Sequence, residues 1–550
     1  MMKKLSAMVI ASTIAMAATP AFADQENHDV GGQTKSQALG YIGKLSKSAI
    51  QSGQFHRLKA GANYGDVYYG VGDESLSARI IFWHKVALDS VALDHTPTEE
   101  GVFPALSQGG PTRTSRALAM VQVAVFDALN AIDGTYNSYA AKRLKAPRFA
   151  SADAAVTYAA YSTLMRLYPA QEERLNAILD EEVTRIQSFT PRVSFKLGKR
   201  VGIESYKAMR DIRQNDKSNR TEPDFGEGGA VADGNTTHFG TPVNGGTSLI
   251  GEWQSDPNTA EEAFEFNLAL GAYWGEVTPF FLDSGDQFRI PPPPTTDSAE
   301  YAAAYAEVAA LGGSPDNLNT VSTSSDDTRF IGNYWGYDGV PLIGVPPRIY
   351  NQITAQLANA EYADQPIELA RVLAMVNIGL ADAGISAWDS KFFYNMWRPV
   401  VGIRAEDDNP ATEQDVTWDP VGISVLNTTS PLRPTPPFPS YPSGHATFGG
   451  VTFEILRDIF GDDHSFTFVS DEYNGEGFDP FFPDAPRPFV PVRFDTLTEA
   501  QEQNGISRIY NGVHWIFDNI EGQNQGVQIG RYLLDEVDAF KPKKKRGKKW

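Results

Sequence analysis

The 550-residue chain contains no cysteine. That absence removes disulfides, thiolate metal sites and a cysteine nucleophile together. Any metal must rest on histidine, carboxylate or carbonyl ligands, or arrive as an oxyanion that the protein surrounds. Histidine is scarce too, at eight residues. Past the first two dozen residues, uninterrupted apolar runs are lacking, so no later segment reads as a membrane span. Positive charge is in deficit: 47 Lys and Arg against 68 Asp and Glu leave a net charge of −21. An acidic body argues against nucleic acid as a partner. The basic residues gather at one end, where 541–550 hold six Lys and one Arg. That composition reads as a solvated tail.

What is present begins with an export pattern. Lys3 and Lys4 precede the apolar stretch Leu5 to Ala18, and Ala21-Phe22-Ala23 offers a small-x-small cleavage site. Residues 1–23 are expected to be a signal peptide removed near Ala23, leaving a periplasmic or secreted protein. Residues 24–75, rich in Gly, Ser, Gln and Lys, read as an N-terminal extension.

From Leu76 helical spacing takes over. Leu118, Val121, Val125, Leu129 and Ile132 recur every three or four positions, and Leu175, Ile178, Val183 and Ile186 nearly do so. Leu369, Leu373, Val376 and Leu380 repeat the pattern, with Asp364 as a cap candidate and Pro366 in the first turn. Long irregular stretches separate them, including 226–251 and the prolines Pro291 to Pro294. The expected fold is all-α: a helical bundle over 76–540 with long loops, and a basic tail at 541–550. With 41% apolar residues, the chain can bury a large core.

Three segments in the last third carry chemistry. Lys391 and Arg398 lie seven apart before Pro399, which on one helix would point both cations the same way. Alone, the pair equally fits two solvated charges. Pro442-Ser443-Gly444-His445 precedes a helical run. A Ser-Gly turn entering a helix offers a hydroxyl and backbone N–H groups to an anion, and His445 could move a proton there. In Ser507-Arg508 and His514-x3-Asp518, Arg508 adds a third cation with forked donors. Asp518, four after His514, could hold one ring N–H and free the other nitrogen as ligand or nucleophile. A Ser-His-Asp hydrolase built on Ser443 and His445 leaves the Lys and both Arg unexplained, and Ser443 lacks a Gly-x-Ser-x-Gly turn. The parts together imply a bound oxyanion of high charge.

In this order, Lys-x6-Arg-Pro, Pro-Ser-Gly-His and Ser-Arg-x5-His-x3-Asp resemble the signature shared by type 2 phosphatidic acid phosphatases and vanadium-dependent haloperoxidases. The flanks resemble the haloperoxidases, nearest the chloroperoxidase type and its bacterial relatives. They are Tyr334 to Gly339, Ile343 to Gln352 and Pro436 to Gly450. The likeness is tight over about 330–537 and looser from 76. It implies vanadate as cofactor, with His514 bound to vanadium and Lys391, Arg398, Ser443, Gly444 and Arg508 around the oxygens. His445 would be the acid–base group and Lys391 would polarise peroxide. Asp338 would pair with Arg508, and Trp388 and Phe438 would flank a halide. Hydrogen peroxide, a halide (bromide, with Phe438 leaning toward chloride) and a small organic acceptor are the implied partners, and hypohalous acid the product. A phosphatase on the same pocket, with His514 attacking phosphorus and His445 protonating the leaving group, shares every signature residue. A non-catalytic oxyanion-binding protein is the third reading, but it has no use for a proton shuttle at His445.

Overall fold

The computed structural model describes residues 44–58, 75–97, 107–223, 228–230, 236–238, 250–254, 256–258, 269–317, 322–430 and 432–544. The expected signal peptide, most of 24–75 and the tail beyond 544 lie outside the described residues. Helices dominate. The first half holds α1 Lys47–Gln51, α2 Gly53–Leu58, α3 Leu76–Asp94, α4 Gly110–Asp133, α5 Ala152–Leu167, α6 Glu172–Phe189, α7 Arg192–Arg213 and α8 Ala299–Leu311. The second holds α9 Asp326–Tyr334, α10 Pro347–Tyr362, α11 Pro366–Tyr394, α12 Pro399–Arg404, α13 Gly444–Phe460, α14 Leu497–Tyr510 and α15 Ile516–Glu536. Strands form only two-stranded antiparallel pairs: β1 Gly228–Ala230 with β2 Thr236–His238, β3 Phe466–Asn474 with β6 Phe489–Phe494, and β4 Phe478–Asp479 with β5 Phe482–Pro486. The all-α expectation holds.

Helices α4 and α11 are buried nearly all round because other helices enclose them. Both are long and apolar enough to cross a membrane, which the sequence reading did not register. Nearly the whole of each apolar window is buried inside the protein. Helix α4 starts with Pro111 in its first turn and stops at Gly134, whose φ of 87° suits glycine. Helix α11 is capped by Gln365 rather than by Asp364, with Pro366 opening the first turn. It packs on α4 on one side and on α10 and α13 on another, joining the two halves. Asp382, buried mid-helix, accepts from the amides of Phe280, Phe281 and Leu282 at 2.6, 2.8 and 2.9 Å, which pins that loop to α11.

Helix α13 lies against α15 at close range. A Cβ on Gly526 would stand 2.2 Å from the Thr447 carbonyl oxygen, so only glycine fits there. The same contact brings the Ser443 amide to 2.9 Å from the Asp518 carbonyl. Of the expected extension, α1 and α2 are seated on the body: Leu45, Ala49 and Leu58 pack with Ala92 and Leu342, and Gln54 donates to the Leu342 carbonyl at 2.8 Å. In β3 the inward row is Phe466, Phe468, Ser470 and Glu472, so the strand turns from apolar to polar toward its end.

Candidate oxyanion site

Lys391 and Arg398 do not share a helix, contrary to the spacing argument. Helix α11 ends at Tyr394, Asn395 takes the left-handed conformation at φ 53°, and Arg398 caps α12 in extended backbone with Pro399 at its first position. The cations converge all the same. The Lys391 ammonium lies 5.2 Å and the Arg398 guanidinium 5.0 Å from the centre of the Phe438 ring.

The loop before α13 wraps these two side chains with its carbonyls. Lys391 Nζ donates to Pro439 O and Ser440 O, both at 2.9 Å, and to Pro442 O. Arg398 Nε donates to Phe438 O at 3.0 Å and Nη1 to Val513 O at 2.7 Å. Burial, helped by Arg398, pulls Lys391 well below the usual lysine range. Three carbonyl acceptors need three N–H donors, however, and only the ammonium has three. We therefore read Lys391 as charged.

Ser443 caps α13, its hydroxyl accepting from the Ala446 amide at 3.4 Å, so Gly444 and His445 occupy the helix start. The His445 carbonyl is gripped by Tyr350 Oη at 3.0 Å and Asn504 Nδ2 at 2.9 Å. His445 Nε2 lies 2.8 Å from Gly336 O and 3.8 Å from Asp338 Oδ1. A carbonyl only accepts, so Nε2 carries the proton and Nδ1 is left basic. Arg508, in the last turn of α14, gives Nη2 to both Asp338 oxygens at 2.9 and 3.1 Å. Its Nε and Nη1 are buried with no hydrogen-bond partner among the described residues.

His514 and Asp518 are not neighbours on a helix face, as their spacing suggested. His514 lies in the turn before α15 and Asp518 in that helix's first turn, where it also accepts from the Trp515 amide at 3.1 Å. His514 Nδ1 is 2.7 Å from Asp518 Oδ2, and Nε2 is 3.1 Å from Arg398 Nη1. The carboxylate accepts from Nδ1–H, so Nε2 keeps its lone pair, which accepts from Arg398 Nη1–H here. Burial pulls both histidines well below the usual range, with Arg398 chief among the cations acting on His514 and Arg508 on His445. Burial pushes Asp518 up to about 7 against Lys391, and raises Asp338 against Arg508.

Trp388 and Phe438 form the apolar wall, their rings 4.8 Å apart. The Trp388 indole N–H is already engaged by Leu270 O at 3.0 Å, so it meets the cavity as ring surface only. The cavity itself is small, about 30 Å³, and is lined by Asp338, Trp388, Phe438, His445, Arg508 and His514 among others. Arg508 and Asp338 line the cavity directly, Lys391, Arg398 and Asp518 are buried around it without lining it, and Arg508 has donors to spare. A tetrahedral oxyanion fits such a donor set. The sequence reading missed Gly336, Tyr350 and Asn504, which hold His445, and Gly271, which makes room for Trp388. A Cβ on Gly271 (φ 82°) would stand 2.3 Å from the indole ring.

Comparison with known proteins bears on the family and the fold. A family profile described as the VCPO second helical-bundle domain matches residues 371–541. Vanadium chloroperoxidase of Curvularia inaequalis is 31% identical over 503 residues, 80% of this chain and 78% of that protein. Among solved structures, a bacterial vanadium-dependent iodoperoxidase aligns with a TM-score of 0.61 at 23% identity, over 84% of this chain and 98% of its own. A holo bacterial vanadium-dependent chloroperoxidase gives 0.53 at 17% identity, over 77% and 92%. These two likenesses speak to the fold, and the relative that is 31% identical speaks to the family: the chain belongs to the vanadium haloperoxidases.

Proposed function

We propose that this haloperoxidase holds vanadate in the cavity, with His514 Nε2 as the ligand to vanadium and Lys391, Arg398, Ser443, Gly444 and Arg508 around the oxygens. The observation that carries this is the pair of unpartnered, buried Arg508 N–H groups beside a histidine lone pair fixed by Asp518. Vanadate, when bound, supplies a Lewis-acidic centre that makes peroxide oxygen electrophilic toward halide. The protein's part is positioning and proton transfer. His445, neutral at rest, takes a proton from hydrogen peroxide at Nδ1 while Nε2–H stays on Gly336 O. Lys391, whose three N–H groups are taken by carbonyls, polarises the peroxide by its charge and not by a hydrogen bond. Arg398 and Arg508 hold negative charge in a site with little water to screen it.

Trp388 and Phe438 strip water from the halide, bromide or chloride, and so make it a better nucleophile. A cavity of about 30 Å³ has room for small ions and peroxide but not for a drug-sized organic molecule. The organic acceptor therefore meets hypohalous acid outside the cavity. Residues 1–23 are taken as an export signal, which N-terminal sequencing of the mature protein checks. The decisive assay uses purified protein with and without vanadate, for bromination of an electron-rich diketone by peroxide and for aryl-phosphate hydrolysis. Vanadate-dependent bromination, with phosphate competing for the site, is the expected result. Robust phosphatase turnover with no vanadate-dependent bromination would replace this reading by a phosphohistidine mechanism.

A further inference from the structure

The turn 334–338 carries two groups that the site depends on. Gly336 offers the carbonyl that holds His445, and Asp338 offers the carboxylate that holds Arg508. Its backbone is unusual: Tyr337 sits at φ 50°, a left-handed conformation unfavourable for a side chain of that size. Something outside the turn must hold it there.

Strand β3 does so at three consecutive residues. Ser470 Oγ donates to Tyr334 O at 2.6 Å, the Asp471 amide donates to Tyr337 Oη at 2.7 Å, and the Tyr337 amide donates to Glu472 Oε1 at 3.0 Å. Glu472 is wholly buried. Its other oxygen accepts from Ser424 Oγ at 2.7 Å and from Arg487 Nη1 at 2.8 Å. Arg487 is anchored in turn by Asp479 at 2.7 Å. Ser424 also sends its amide toward Asp338 Oδ2 at 3.4 Å, so the two carboxylates share one serine. A buried carboxylate with this many donors is costly to assemble and has no partner in the anion-binding set itself.

We infer that Glu472, fixed by Arg487, is a positioning residue for proton transfer: it holds the 334–338 turn so that Gly336 O keeps His445 oriented. The inference rests on the role given to His445 above. Arg508 is tied to this turn through Asp338, whereas Lys391 is held by the 439–442 carbonyls and His514 by Asp518, so a Glu472 variant should cost proton transfer more than anion binding.

The test compares wild type with Glu472→Ala and Glu472→Gln. Glu472→Ala is expected to lower kcat for bromination about 10²-fold, the low end of a proton-transfer contribution, while vanadate affinity, coupled to the same turn through Asp338 and Arg508, falls by no more than about tenfold. Glu472→Gln keeps an oxygen for the Tyr337 amide and is expected to recover about tenfold of that loss. An independent readout uses ¹⁵N-histidine-labelled apoprotein. Exchange of the His445 Nε2 proton should accelerate at least about tenfold in Glu472→Ala, and that of the His514 Nδ1 proton should not. Unchanged kcat would overturn the inference. So would losses shared equally by kcat, vanadate affinity and both imidazole protons, which mark general loosening. If Glu472→Ala does not fold, Glu472→Gln must still lose kcat and His445 protection selectively, or the inference fails. If wild type lacks vanadate-dependent bromination, the functional reading falls, and the two imidazole protons still decide whether Glu472 positions His445.

Discussion

Two imidazoles border one cavity, and their partners separate their tasks. His514 donates to Asp518 and turns a lone pair inward, whereas His445 donates to a carbonyl and keeps the opposite nitrogen as base. With His514 as the proposed ligand to vanadium, His514→Ala is expected to lower vanadate affinity and collapse bromination. His445→Ala leaves every cation in place, so vanadate still binds while kcat drops by about 10² to 10⁴. Titration of vanadate into each apo variant, followed by assay at saturation, distinguishes the two. Wild-type affinity and activity in His514→Ala would remove it from the ligand role. Arg508 gives a third check. Lysine keeps the charge but lacks the fork that serves Asp338 and an anion together, so Arg508→Lys should weaken phosphate or vanadate binding by about 10- to 100-fold. An unchanged affinity, measured by calorimetry, would show that the unpartnered N–H groups serve no anion.

At the scale of elements, two crossings set the site. Gly526 lets α15 approach α13, and that contact sets Ser443 beside Asp518. Gly526→Ala forces backbone apart and should destabilise the fold by about 1 to 3 kcal/mol; a denaturation midpoint equal to wild type would refute the close-approach argument. Asp382 pins the 280–282 loop to α11, and burial pushes it up to about 6 despite three donor amides. Its unfolded value is about 3.9, so the native state retains this proton where the unfolded chain has lost it. Stability therefore falls as pH rises between about 4 and 6. Asp382→Asn lacks that term, so the lead of wild type over the variant should shrink across this window and level off above it. Denaturant midpoints at about pH 4, 5, 6 and 7 measure it, and a constant gap would contradict the shift.

The helices named from spacing were legible because period 3.6 runs through them, as in Leu118 to Ile132 and Leu369 to Leu380, but most of the others went unnamed. The site residues were legible because oxyanion chemistry restricts their types. Their helical geometry was not: Asn395 breaks the segment between Lys391 and Arg398, and Pro399 begins a helix instead of ending one. Glu472 could not be found, since Tyr337, Ser424 and Arg487 stand 135, 48 and 15 positions away and form no local pattern.

For the whole molecule, the charge distribution is inverted. The chain carries −21 overall, while Arg508 lines its cavity and Lys391 and Arg398 are buried around His514 and Phe438. Approaching halide and vanadate meet repulsion at long range and attraction only at the cavity. Screening shrinks from about 30 Å in 10 mM salt to about 8 Å in 150 mM. Adding an inert salt over that range should therefore raise kcat/KM for bromide a few-fold. A steep fall instead would mean that the local cations govern capture from a distance.

At Phe438 itself the polar fastening of the 438–442 loop runs through the main chain, where Arg398 holds its carbonyl, and Lys391 grips three further carbonyls of the loop. A carbonyl is indifferent to the side chain beside it. The path of this wall is thus independent of which residue occupies position 438. Selection could exchange that ring for a polar group, altering which halide is welcomed, without re-laying the backbone or disturbing the floor below. The architecture keeps what must stay constant in the peptide bonds and leaves what can diversify in a single side chain.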